Sequence, residues 1–203
     1  MVVMSARHLA YLTPLLLTGC VQPATPFSAQ APSSSSSLSL VANARARACF
    51  DAASARQPGA ASLAACDRAL DGEALPPALR AASLVNRGIV HMQMQDLDAA
   101  MADFDAAIAL RPETAEAWVN KGIAHIRKGD DMTAATLLSR GLELEPENPA
   151  VAHYSRAYAY EGLGRLREAY EDYGRVAALA PDWPDPYEQL KRFRIVRVKT
   201  AGA

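Results

Sequence analysis

Residues 83–92, SLVNRGIVHM, and residues 117–126, AWVNKGIAHI, carry Asn, a basic residue, Gly and then His at the same spacings, 34 residues apart. Such a pair is either one chemical site written twice or one architectural unit written twice. The residues around the two glycines decide. Counting 12, 16, 19 and 24 places from Gly88 reaches Ala100, Phe104, Ala107 and Pro112. The same offsets from Gly122 reach Ala134, Leu138, Gly141 and Pro146. From Ala157 they reach Ala169, Tyr173, Val176 and Pro181. The third pass starts 35 residues after the second, and the extra residue falls in the turn EPENP at 145–149.

The pattern has a physical reading as paired helices. The chain is rich in alanine, the best helix former, and poor in β-branched runs. Small residues at Gly88, Gly122 and Ala157 let a second helix approach at Ala100, Ala134 and Ala169. Phe104, Leu138 and Tyr173 fill the space beside each contact. Gly129 and Gly164 fall where a left-handed residue ends the first helix. Pro112, Pro146 and Pro181 close each second helix, because proline cannot continue it. One such hairpin cannot bury its apolar face alone, whereas stacked hairpins can.

This pattern resembles the tetratricopeptide repeat, a helix-turn-helix unit of 34 residues. Trp118, Gly122, Ala134, Leu138 and Pro146 match it in the middle unit. Leu84, Gly88, Ala100, Phe104, Ala107 and Pro112 match before it, and Tyr160, Ala169, Tyr173 and Pro181 after it. His91 and His125 depart from the pattern by taking a Tyr place, and His153 by taking the Trp place. The expected fold class is all-α: an α-solenoid of stacked repeats with a C-terminal capping helix. Three repeats span 81–183. Ser62, Cys66 and Ala69 keep second-helix spacing, so 41–80 reads as a degenerate leading hairpin. Residues 184–203 read as cap and tail, with a helix over 185–197 that turns Leu190 and Phe193 inward and Lys191, Arg192 and Arg194 outward.

The N-terminus differs in kind. MVVMSARHLAYLTPLLLTGC has a short basic region and an apolar run ending at Leu17. That run is shorter than the roughly 20 residues of a spanning helix and fits a secretory signal over 1–19. Leu17-Thr18-Gly19-Cys20 resembles the lipobox of bacterial lipoproteins, in which the chain is cut before the Cys and the thiol carries a diacylglycerol. Residues 20–40, Ser-, Pro- and Ala-rich, read as a tether. With Cys20 lipidated, Cys49 and Cys66 remain. In an oxidising compartment that even pair reads as a disulfide; the alternative is two buried thiols packing as small hydrophobes.

A net charge of −1 gives no electrostatic case for nucleic acid. His91 and His125 lie in adjacent units, with no further ligand in their row, and read as structural. Asp96, Asp98, Asp103 and Asp105 read as a solvated surface. No phosphate loop, nucleophile elbow or zinc-peptidase helix is present in the sequence. No catalytic, cofactor-binding or metal residues are therefore expected, and no enzyme. The basic row Arg87, Lys121 and Arg156 is expected to pair with acids on neighbouring helices.

The resemblance implies a concave peptide-binding groove built from the first helices. Carried over residue by residue, its lining is Asn86, Ile89, Val119, Asn120, Ile123, Arg127, Tyr154 and Tyr158. Val85 and Val119 stand where one subfamily places carboxylate-clamping lysines, so an apolar segment or a helix is the expected ligand. The expected function is a non-catalytic adaptor of a bacterial envelope, facing the periplasm and anchored through Cys20 to the membrane, with the outer membrane preferred. It binds another protein in the groove. The alternative is a homo-oligomeric structural protein of the envelope whose groove packs on itself.

Overall fold

The computed structural model describes residues 2–6, 37–55, 58–71 and 75–197. Four helical hairpins follow one another: α1 (Ser37–Ser54) with α2 (Ala60–Leu70), α3 (Pro77–Gln93) with α4 (Leu97–Leu110), α5 (Ala115–Arg127) with α6 (Asp131–Glu143), and α7 (Pro149–Gly162) with α8 (Leu166–Leu179). The last three are repeats 1, 2 and 3. α1 begins at Ser37, so the last residues assigned to the tether belong to the first helix.

Local chemistry sets the ends of these helices. Asp96, Asp130 and Asn148 each accept a hydrogen bond from a backbone N–H three residues on and cap α4, α6 and α7. Pro77 and Pro149 open α3 and α7, where a missing N–H costs nothing. Gly129 and Gly164 take left-handed backbone at φ 78° and 71°. Repeat 1 has Gln95 at this place, also left-handed at φ 66° despite its Cβ.

Packing follows the glycines. A Cβ at Gly88 would stand 2.5 Å from the ring of Phe104, and one at Gly122 would stand 2.7 Å from Leu138. The absent side chains are what let α3 meet α4 and α5 meet α6. Consecutive hairpins then stack through α2 on α3, α4 on α5 and α6 on α7. The first helices also touch one another, α1 with α3, α3 with α5 and α5 with α7. The stack therefore curves with the first helices on its inside. Cys49 and Cys66 are joined by a disulfide that ties α1 to α2, and both are fully buried.

The C-terminal end departs from the single helix expected over 185–197. α9 is short (Asp185–Lys191) and is followed by β2 (Phe193–Arg197), antiparallel to β1 (Val2–Ala6). The β-branched neighbours Ile195 and Val196 are crowded in a helix and suit a strand. The inward places hold: Leu190 packs on the core, and buried Phe193 lies 5.7 Å from Tyr170 and 6.1 Å from Tyr173. β1 falls inside the segment read as a leader; cleavage before Cys20 would remove it. Cys20 itself, like the rest of the lipobox, lies outside the described residues.

Candidate peptide-binding face

The inner face is built by rows that recur once per repeat. One row is Asn86, Asn120 and Ser155, all buried. Asn120 Nδ2 donates to the carbonyl of Glu116 one turn earlier, at 2.8 Å. Asn86 differs: its Oδ1 is buried and has no hydrogen-bond partner among the described residues. Ser83 Oγ and Gln93 Oε1 share that condition, so three orphaned polar atoms sit on α3. An unpaired buried acceptor costs about 1–3 kcal/mol.

The apolar residues of the carried-over set lie deep between helices. Ile89 is fully buried, and Val119 and Ile123 are nearly so. Val119 occupies the space that a side chain at Gly141 would take, its Cγ2 being 2.6 Å from such a Cβ. Tyr154 is buried against Tyr173 and under Trp183, with ring centroids 5.4 and 4.7 Å away. Tyr158 on α7 is partly buried and packs against the core.

Arg127, read as a groove cation, is committed to the solenoid. Its Nη1 donates to the carbonyl of Met92 near the end of α3, and Nη2 to Gln95 Oε1 at 2.6 Å. Gln93, one repeat earlier, likewise donates to the carbonyl of Ala53 in α1. Each such side chain staples its helix to the preceding first helix. The Arg127 bond also accounts for Gln95: its side chain holds Arg127 where glycine could not. Burial lowers the Arg127 guanidinium from its ordinary value.

The basic row pairs as expected with neighbouring acids. Arg87 is bidentate to Asp103 and also reaches Asp67. Lys121 bonds Asp105. Arg156 is bidentate to Asp172 and also donates to Ser139 Oγ. Asp103 is thus a correction: it is buried beneath Arg87, whereas Asp105, two residues on, faces solvent. Asp172 is the centre of the densest cluster, accepting also from Arg175 at 2.7 Å and lying 2.9 Å from His153 Nδ1. Burial alone would raise its carboxyl. The bonds from His153, Arg156 and Arg175 hold it well below the usual carboxylate range.

The histidines are bound into the same framework. His125 Nδ1 lies 3.1 Å from Asp130, the α6 cap, and His91 lies 3.9 Å from both Asp96 and Asp103. In repeat 3 the same two places hold Tyr160 and Arg165, with the guanidinium 4.4 Å above the ring. Position and partner change together, a histidine–carboxylate contact giving way to a cation–π contact. Among the described residues no three His, Cys, Asp or Glu side chains converge on a metal-sized site. The joint change at these two places was visible in the sequence and overlooked. The roles of Gln93 and Gln95 had no such signal, whereas Asp172 stands 16 residues after Arg156 as Asp103 does after Arg87.

Comparison with known families fits this geometry. Residues 85–149 match one tetratricopeptide repeat model and residues 150–182 another. Residues 85–182 carry tetratricopeptide repeats. Mouse unc-45 homolog B (Mus musculus) is 30% identical over 115 residues, which is 55% of this chain and 12% of that protein. A tetratricopeptide repeat and J domain-containing co-chaperone, DNJ1 of Fusarium oxysporum, is 30% identical over 112 residues, 52% of this chain and 21% of that one. The chain thus spans 12% and 21% of the length of these two relatives. Among solved structures, MamA of Desulfovibrio magneticus RS-1 superposes with a TM-score of 0.59 at 20% identity, covering 77% of this chain and 84% of that chain. The second repeat domain of human RPAP3, solved with an HSP70 peptide, gives 0.53 at 22% identity over 57% of this chain and 96% of that chain. These likenesses establish an all-helical repeat solenoid.

Proposed function

We propose that this protein is a non-catalytic adaptor of a bacterial envelope, anchored by lipidated Cys20, that receives a segment of another protein on the inner face of α3, α5 and α7. The observation that carries this reading is Asn86. Its buried Oδ1 has no hydrogen-bond partner among the described residues, whereas the Asn120 side chain donates to the Glu116 carbonyl of its own helix. A side-chain amide that both donates and accepts suits a peptide backbone. Partly buried Tyr158 supplies an aromatic contact on the same series of helices. A diacylglycerol on Cys20 would bring two acyl chains, the number that makes anchoring stable.

The test separates binding from folding. Asn86→Leu removes an orphaned acceptor at little change of shape, so stability should hold or rise while partner binding falls about tenfold or more. Partner binding unchanged in Asn86→Leu would remove the assigned role. Cys20→Ala should move the protein from the membrane to the soluble fraction; an unchanged distribution would remove the anchor. Light scattering that showed a stable dimer burying Tyr158 would replace the adaptor by a self-packed assembly.

A further inference from the structure

Repeats 2 and 3 differ on the side away from the inner face. In repeat 2, Trp118 spans from α5 to the preceding turn and its indole N–H donates to the carbonyl of Pro112 at 2.8 Å. The matching residue in repeat 3 is His153, whose ring is turned onto Asp172. At the matching place in repeat 3, beside His153, lies an open cleft of about 460 Å3. Ser139, Leu142, Pro146, Pro149, His153 and Arg156 line it, and Glu143 and Glu145 stand with them.

We propose that this cleft is a second docking site, which takes a tryptophan side chain flanked by a basic residue from a partner peptide. Its volume lies within the range of small-ligand sites, about 300–1,000 Å3. Leu142, Pro146 and Pro149 give apolar walls. The Pro146 carbonyl, counterpart of the acceptor used by Trp118, has no hydrogen-bond partner among the described residues. Arg156 in the wall is turned onto Asp172, which weakens its repulsion of a cationic flank. The exposed acids do the opposite. Glu143 is shared with Arg140, but Glu145 has no ion-pair partner among the described residues and is held left-handed at φ 54°. A non-glycine residue kept in that conformation is a local cost that points to use. Buried tryptophans flanked by charge are frequent anchors of protein recognition. The site does not depend on the inner face and can fail without it.

The test is a titration of the isotope-labelled full chain with Ac-Lys-Trp-Lys-amide, followed by amide chemical shifts. Saturable shifts at Leu142, Glu145 and His153 are expected, with Kd below about 1 mM. Glu145→Lys, an exposed change, should weaken binding about fivefold or more. His153→Trp, which places in repeat 3 the indole of repeat 2, should abolish it. Thr136→Ala, an exposed change elsewhere on α6, should leave it unchanged. No saturable shift, equal shifts with Ac-Lys-Ala-Lys-amide, or shifts centred on Asn86 and Tyr158 would each overturn the proposal.

Discussion

Asp172→Asn is the most informative perturbation of the fold. The Asp172 carboxylate is almost fully buried and holds Arg156, itself only 15% exposed, in a bidentate pair. Removing one partner of a buried pair leaves the other uncompensated, at about 3–5 kcal/mol. Arg156 keeps a bond to Ser139 Oγ, which places the expected loss near the lower end, about 3 kcal/mol. Arg175 is half exposed and adds little. The matched control is Asp105→Asn, which breaks the pair of exposed Asp105 with partly covered Lys121 and should cost about 1 kcal/mol. Urea unfolding followed by circular dichroism measures both. The sign with pH is fixed. The folded carboxyl of Asp172 lies below its unfolded value of about 3.9, so its contribution is complete above that value. The contribution drains as pH falls toward the folded value, and the gap between wild type and variant should narrow below about pH 4. A loss equal to that of Asp105→Asn, or a gap that widens in acid, would refute the argument.

Three further outcomes follow from the same structure. Gly88→Ala should cost about 1–3 kcal/mol because the Phe104 ring it meets is fully buried, whereas Gly174→Ala in α8, with nothing within 4 Å, should gain about 0.5–1 kcal/mol; thermal melts of both variants check this. Replacing Cys49 and Cys66 by serine opens a loop of sequence separation 17 and should lower stability by about 3 kcal/mol in urea titrations, with protection from hydrogen exchange lost first in α1 and α2. Gln95→Gly relieves a left-handed backbone but releases Arg127, so Gln95→Gly and Arg127→Ala should be non-additive by about 0.5 kcal/mol or more in a double-mutant cycle.

The repeat was legible because its signal is steric. Gly88 with Ala100 and Gly122 with Ala134 keep a spacing that only helix-to-helix contact requires, and the glycines do touch Phe104 and Leu138. The basic row was legible for the same reason of period. Asp103 was misread because alternation with Asp105 says that the two face apart but not which faces in; Arg87, 16 residues earlier, decides that. The cap was misread over its second half because a helix was extended through a β-branched run. The inner face was the least legible. Ile89 and Val119 follow the family's positions, but how deeply a neighbouring helix covers them depends on packing that no single repeat encodes.

The central claim is that the inner face, and not the fold alone, recognises a partner. A photoreactive residue placed at Tyr158 in the native envelope tests it most directly, with Thr136 on the exposed side of α6 as control. The account predicts a crosslinked second protein from position 158 and none from 136, and loss of that product when Asn86→Leu is added. Identical products from both positions, crosslinks only between copies of this chain, or a product indifferent to Asn86→Leu would contradict it.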